Sequence, residues 1–577
     1  MTARAADRLI PVLVACAYLA LVAAVQPIGE FPLNDDWSYA WSVKALREEG
    51  RLAFTGWVSM PLVAQVLWGW LFTLPAGFSF TAVRLSTVVL AAVAGLAVYA
   101  AVRLTTARHG IAAVAALTVL TTPVFFVLSV SFMTDVPGAA AMLVAVLLFL
   151  RDLEAPRGRD YGLAVAACLA AVLIRQIALA VPIAYGLAAW HRDGFAPNRL
   201  LRAGAPAALG VAVLAGWTLY LERTRGLPEL FDLQTRMVLQ TFESVQRALL
   251  MPVGNLTGFA VMVGLFASPV LVCAAGALWR FLRHGSRSPG LTVAFVVALI
   301  AIPLANLAHG LPLLHNVIYD FGLGAPTLKD GFILKLPIAA PAPPLVWAIA
   351  TAVGVVGAAV LTAIAAASLR RAVRPGRAGL PRPRAATELF LVACLAVYFV
   401  PLLFVRSYDR YVIFPTAVAC ILAATVARAH MPPAGTRRAA AGAVAGLAAA
   451  APLAWFAVAA THDYLAWNRA RWSALDVLTG VHGVPPERID GGFEFNGWHH
   501  YGKAPYGGSR PGQSWWWVID DRFLASFGPL PGYRPVMRAP YRSWLSGGER
   551  AILISERAGA PAPVAPAAVP PRPPDDG

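Results

Sequence analysis

Apolar runs of about 20 residues recur along most of this chain, each long enough to cross a bilayer hydrocarbon core of about 30 Å. Inside such a core every backbone N–H and C=O must find a partner within the protein, which leaves helices as the economical solution for runs of this length. Hydrophobic residues make up 58% of the 577 residues and charged residues only 13%, about half the charge of an ordinary soluble protein. The pattern predicts an all-α polytopic membrane protein. The first run, Leu9 to about Val25, lacks a small-residue cleavage site and many runs come after it, so it reads as a retained span and not as a signal peptide.

The net charge of +17 does not point to nucleic acid. Lys and Arg crowd short loops between apolar runs, as in the cytoplasmic loops of membrane proteins. The five cysteines, Cys16, Cys168, Cys273, Cys394 and Cys420, all fall inside apolar runs without metal-ligand spacing. They read as small buried residues, with neither a disulfide framework nor a zinc site.

Spans are predicted to start near residues 8, 81, 110, 137, 161, 178, 203, 256, 290, 343, 387, 410 and 438, about thirteen in all. The apolar stretch 58–76 is ambiguous, because Pro61, Gly69, Pro75 and Gly77 interrupt it. Charge decides its placement. If it does not cross, the loops holding Arg103/Arg108, Arg151/Arg157/Arg159, Arg192/Arg199/Arg202, Arg280/Arg283/Arg287, Arg370/Arg371/Arg374/Arg377 and Arg437/Arg438 share one side with Arg4 and Arg8. That is a coherent positive-inside pattern, and 58–76 becomes a juxtamembrane element. Segments 28–80, 131–136, 222–255, 309–342, 406–410 and the C-terminal region then lie on the outer side. Within them, Leu230, Leu233, Met237, Val238, Phe242, Val245 and Leu249 have the spacing of an amphipathic helix on the membrane surface over 229–250.

From His462 the composition changes, giving three regions: a transmembrane domain (1–461), a small α/β outer domain (462–557) and a Pro/Ala-rich tail (558–577) expected to be disordered. The outer domain begins with a helix ending near Gly483. Strand-like runs come next at Arg488–Asp490, Ser514–Asp520 and Ala551–Ser555.

The acids carry the chemistry. Asp35 and Asp36 come about eight residues after the first span, and Asp135 lies between two later spans on the same predicted side. A carboxylate at a low-dielectric boundary can serve as a general base. The bland alternative is helix capping, for the segment Trp37 to Glu48 and for the span opening at Val136-Pro137. Trp37, Tyr39, Trp41 and Leu46 are available to the membrane interface in that surface helix. Arg175 is embedded in Ala171-Val172-Leu173-Ile174-Arg175-Gln176-Ile177 and needs either an anionic ligand such as a lipid phosphate or an intramembrane acid. Arg84 stands at the start of its span, where snorkelling explains it too. The polar segment with His309, His315, Asn316, Tyr319, Asp320 and Lys329, and the cluster Arg406-Ser407-Tyr408-Asp409-Arg410-Tyr411, are further candidates. The cluster suits a phosphate or an internal pair through Asp409. The run Gly491 to His500 suits sugar recognition or a tight turn with core aromatics. No phosphate-binding glycine loop, Gly-x-Ser-x-Gly elbow or metalloprotease helix is present.

This order of features resembles the GT-C superfamily of membrane glycosyltransferases, in its bacterial branch related to lipid A aminoarabinose transferase and protein O-mannosyltransferase. Asn34-Asp35-Asp36 matches the first-loop acid position, Asp135 the second-loop acid, and Tyr408-Asp409-Arg410-Tyr411-Val412-Ile413-Phe414-Pro415 resembles the Arg-Tyr-x-x-x-Pro run of a late span. The block 309–330 and the Gly491–His500 run do not match the aminoarabinose enzyme, which leaves the substrate open. The resemblance implies a polyprenyl-phosphate sugar donor and an envelope lipid, glycan or protein acceptor, with the site on the periplasmic face of a bacterial inner membrane. Asp35, Asp36 and Asp135 are then the catalytic candidates. Arg84, Arg175, Lys329, Arg406 and Arg410 are candidates for the donor phosphate, and Trp37, Tyr39, Gln176, His315, Asp320, Tyr408 and Tyr411 for the rest of the substrates. No cofactor is required, although adjacent carboxylates permit Mg or Mn. A lipid-linked saccharide flippase and an O-antigen ligase-like transferase are the alternatives. The first explains the spans and Arg175 but not the clustered acids, and it leads one to expect internal repeats, none of which is convincing here.

Overall fold

The structure, a computed structural model, describes residues 3–194, 196–224, 226–285, 314–320, 322–338, 342–373, 382–506, 513–514 and 516–559. The chain divides into two compact units, Met1–Ala325 with Pro341–His462, and Pro326–Ala340 with Asp463–Gly577.

The first unit is helical. Nine helices among the described residues are long and apolar enough to cross a membrane, and a tenth span is completed if His109–Leu120 and Pro123–Ser129 count as one. That pair is bent by 66° because Pro123 supplies no N–H, and the hydroxyls of Thr121 and Thr122 turn back to the carbonyls of Leu117 and Thr118. The spans expected near 161 and 178 are shorter, Gly158–Val172 and Ala180–Asp193, joined through a 3₁₀ turn at Gln176–Leu179. The span expected near 290 and the candidate His309 lie outside the described residues.

The ambiguous stretch forms the helix Val63–Thr73, whose 11 residues reach about 16 Å and fall short of a bilayer core. The amphipathic stretch 229–250 is not one helix. Glu229–Phe242 ends there, and Ser244 caps a new helix, Val245–Cys273, by accepting from the Arg247 amide. Val245 and Leu249 therefore belong to the next span. That span packs on Pro344–Val373 with backbones in close approach: a Cβ added at Gly264 meets the Ala358 nitrogen and the Gly354 oxygen at 2.3 Å, and one added at Gly357 meets the Gly264 oxygen at 2.3 Å. Elsewhere the buried Asp152 accepts from Tyr185 Oη at 2.8 Å and Arg202 Nη2 at 2.6 Å, tying three helices together.

The second unit carries a four-stranded sheet of order β1 (Ile489–Asp490), β2 (Phe523–Ser526), β4 (Glu549–Arg557), β3 (Tyr533–Arg542). β1 and β2 run parallel and the other pairs antiparallel. The aromatic run 514–520 is not a strand. Trp517 has a left-handed φ of 54°, which breaks the extended backbone, while Trp516 and Trp517 are buried. The run Gly491–His500 becomes the turn-and-helix alternative: Phe493–His500 is helical, Phe493 and Phe495 are buried, and Glu494 pairs with Arg471 at 2.9 Å with both side chains inaccessible.

Segment 326–340 is part of this second unit and not simply a loop between spans. Asp330 accepts from the amides of Phe527 and Gly528 at 2.7 and 3.0 Å, and Thr327 donates to Glu494.

Candidate active site

The site is built where helices of the first unit begin or break. Pro27–Phe31 is held first. The Arg84 guanidinium donates to the carbonyls of Pro27 (2.6 Å), Gly29 (3.1 Å) and Phe31 (2.7 Å), and the Glu30 carboxylate receives Ser79 Oγ and the Phe80 and Thr81 amides at the start of the helix Phe80–Thr106. Arg84 is therefore a clamp on the loop, 1% exposed, and does not join the cleft.

The two adjacent acids then part company. Asp36 opens the helix Asp36–Glu49 and is 2% exposed. Its carboxylate accepts from the Leu33 amide at 2.5 Å and, across the unit, from the Phe132 amide at 3.0 Å. Gln65 Nε2 donates to the Phe132 carbonyl at 2.8 Å, so the loop before Asp135 is gripped from both sides. Asp35 sits at the N-cap position yet makes no side-chain cap bond. Its carboxylate faces Trp57 Nε1 at 2.9 Å and Arg410 Nη1 at 3.6 Å.

Asp135 is the first residue of Asp135–Glu154, behind Thr134, whose side chain makes no cap bond. It forms an ion pair with Arg175, whose Nη1 also donates to Thr134 Oγ1 at 3.2 Å. Of the two kinds of partner expected for Arg175, the intramembrane acid is present here. Arg175 has extended backbone at a helix break, and the carbonyls released there, of Leu173 and Ile174, accept from Ala64 and Leu62. Gly138 leaves room for the arginine stem: a Cβ there meets Arg175 Cδ at 3.3 Å. Arg410 lies in the 3₁₀ turn Asp409–Val412. Its neighbour Asp409 is spent on the amides of Val317 and Ile318, the second at 2.6 Å, so the internal Asp409–Arg410 pair is not what forms.

These groups meet. Asp135, Arg175, Arg410, Tyr398, Met142 and Gly138 line part of one narrow cleft. Arg175 stands over the Tyr411 ring at 5.6 Å, and Arg410 over Tyr408 at 5.3 Å and Tyr411 at 5.9 Å. Exposed Arg406 stacks on Tyr408 at 5.7 Å. Asp135 Oδ2 and Arg410 Nε are buried without hydrogen-bond partners among the described residues, polar atoms that a ligand in the cleft would satisfy. Tyr39 lies among these charges. Burial, and next the negative charge of Asp35, hold its phenol well above the ordinary range, so it is a neutral donor.

Trp37 and Tyr39 are 1% and 3% exposed, so neither faces a membrane interface. Their helix packs against the helix Val63–Thr73. Gln176 donates to the Ser59 carbonyl at 3.4 Å. Asp320 accepts from the Ala342 amide and Trp347 Nε1, closing the loop ahead of Pro344–Val373. His315 is exposed two residues before Val317. Lys329 belongs to the second unit, where it is buried against Asp521 at 3.3 Å, and burial lowers its pKa. Sequence reasoning missed Trp57 and Tyr398. A phenol in the apolar run around Tyr398 was a readable signal, whereas nothing in spacing links residue 57 to residue 35.

Residues 60–217 match the family model described as dolichyl-phosphate-mannose-protein mannosyltransferase. That stretch holds Asp135 and Arg175 but neither Asp35 nor Arg410. No curated protein matches the chain in sequence. Among solved structures, the chain is similar to ArnT from Cupriavidus metallidurans in its apo state, at 14% identity and a TM-score of 0.40, over 94% of this chain and 97% of that one. The same protein bound to undecaprenyl phosphate gives 14% identity and a TM-score of 0.38, over 95% and 98%.

Proposed function

We propose that this chain is an integral membrane glycosyltransferase that moves a sugar from a polyprenyl-phosphate donor to an envelope lipid, glycan or protein acceptor on the extracytoplasmic side of a bacterial inner membrane. The observation that carries the reading is the pairing of Asp135 with Arg175 and of Asp35 with Arg410 from separate segments, with Asp135, Arg175 and Arg410 lining one pocket and Asp135 Oδ2 and Arg410 Nε buried without hydrogen-bond partners among the described residues. The family-model match over 60–217 supports it.

Asp35 is the base in this reading. Asp36 has its carboxylate closed by two backbone amides, whereas Asp35 is half-buried and its contact with Arg410 is long. The acceptor hydroxyl gives its proton to Asp35 while its oxygen attacks the anomeric carbon from the face opposite the phosphate. The anomeric C–O bond breaks, its electron pair leaves with the polyprenyl phosphate, and the sugar inverts. Arg410 and Arg175 stabilise the departing charge. Two carboxylates and two guanidiniums balance one another in the cleft, so a phosphate that draws Arg410 also releases Asp35. Asp135 keeps Arg175 oriented, and its free oxygen is placed to accept from a sugar hydroxyl. Both site carboxylates face arginines, so charge stabilisation is assigned to the guanidiniums.

The test is transfer from radiolabelled polyprenyl-phosphate sugars into a membrane lipid extract by the purified protein. Wild type is expected to transfer. Asp35→Asn is expected to lose at least about a hundredfold in rate with donor still bound. Asp36→Asn is expected to lose thermal stability first, by about 1–3 kcal/mol. Full transfer by Asp35→Asn would sink the mechanism. Donor binding without transfer from any donor would favour the flippase.

A further inference from the structure

We propose that Trp57 is a positioning residue that orients Asp35 for catalysis, an inference that rests on the reading of Asp35 as the base. Indole Nε1 donates to Asp35 Oδ1 at 2.9 Å, while the other carboxylate oxygen faces Arg410 at 3.6 Å. A carboxylate held at one oxygen by a neutral donor keeps the other oxygen's lone pairs on the side of Arg410. Indole is suited to this task. It donates one proton, accepts none, and so cannot compete with Asp35 for the acceptor's proton.

The turn that carries Trp57 is tied down on both sides of the indole. Thr55 Oγ1 lies 2.5 Å from Ser38 Oγ, on the helix just after Asp35. The Gly56 carbonyl accepts from the Leu230 amide at 3.0 Å. Ser59 accepts at its hydroxyl from Gln234 Nε2 at 2.8 Å and at its carbonyl from Gln176 Nε2 at 3.4 Å. Val58 closes the turn on the Thr55 carbonyl at 3.3 Å. Leu230 and Gln234 both come from the amphipathic helix Glu229–Phe242, which leaves Leu233, Met237 and Phe242 exposed. The indole is thus placed by groups within two residues of it in sequence, and the loop does not depend on Asp35 to hold its shape.

The decisive variant removes the N–H and keeps the bicyclic ring: β-(3-benzothienyl)alanine incorporated at position 57 of the full chain. Trp57→Phe and Asp35→Asn run beside it. Loss of one hydrogen bond to a charged group is expected to lower kcat roughly 10- to 100-fold. Donor KM stays within about twofold, and the melting temperature of the benzothienyl protein stays at the wild-type value. A role in packing alone leaves kcat unmoved. Wild-type kcat in the benzothienyl protein, with Asp35→Asn inactive, would overturn the inference and leave the base intact. An active Asp35→Asn would overturn the reading of the base and this inference with it.

Discussion

The Arg84 guanidinium serves three carbonyls of one loop and stands over the Phe31 ring at 4.9 Å. A lysine in its place has a point-like ammonium that cannot span acceptors arrayed along Pro27, Gly29 and Phe31. Arg84→Lys is therefore expected to lose about 2–3 kcal/mol of stability, read as thermal unfolding in detergent, with donor KM unchanged. A donor-phosphate role would raise that KM and spare stability. In the sequence Arg84, Arg175 and Arg410 are all candidates for the donor phosphate. What separates them is which backbone carbonyls or carboxylates lie opposite, and that is set by contacts between residues tens to hundreds of positions apart. The adjacent acids pose the same difficulty in its sharpest form. Asp35 and Asp36 were legible as a pair, but the two amides that close Asp36, one of them at Phe132, were not.

At the level of elements, apolar run length made the spans legible, and the charge of the later loops placed 58–76 as a juxtamembrane element. Pairing between helices was not legible, since a glycine in an apolar run does not name its partner. Gly264 is the clearest case. A methyl group there meets backbone atoms of Gly354 and Ala358 at 2.3 Å, and backbone cannot yield as a flexible side chain does. Gly264→Ala is expected to force the helices Val245–Cys273 and Pro344–Val373 apart, costing roughly 1–3 kcal/mol. Gly254→Ala in the same helix meets nothing within 4 Å and is expected to be neutral or slightly stabilising through helix propensity. Thermal unfolding of both variants in one detergent checks the pair, and equal melting temperatures would refute the close crossing.

Across the whole molecule, composition announced a change at residue 462 but could not show that 326–340 belongs with the C-terminal residues beyond that point. That membership rests on Asp330, Lys329 and Thr327 finding partners near residues 527, 521 and 494. The same unit carries a pH dependence of its own. His499 packs on the Phe495 ring at 4.5 Å, and burial, with His500 and Lys503 adding positive charge, brings its pKa down to about 4 from 6.5. Between those values the unfolded chain holds a proton on this ring that the folded unit refuses. Stability therefore falls as pH drops from about 6.5 toward 4, by up to about 3 kcal/mol. Asp330 acts in the opposite sense, because burial raises its pKa and the folded state gains a proton there first. The difference between wild type and His499→Phe isolates the histidine, since phenylalanine keeps the ring packing and removes the titration. Protection factors from hydrogen exchange of the peptide 489–500 in the full-length protein are expected to fall across that window in wild type and to stay flatter in His499→Phe. Identical pH slopes in the two proteins would mean that His499 takes up its proton in the folded unit as readily as in the unfolded chain.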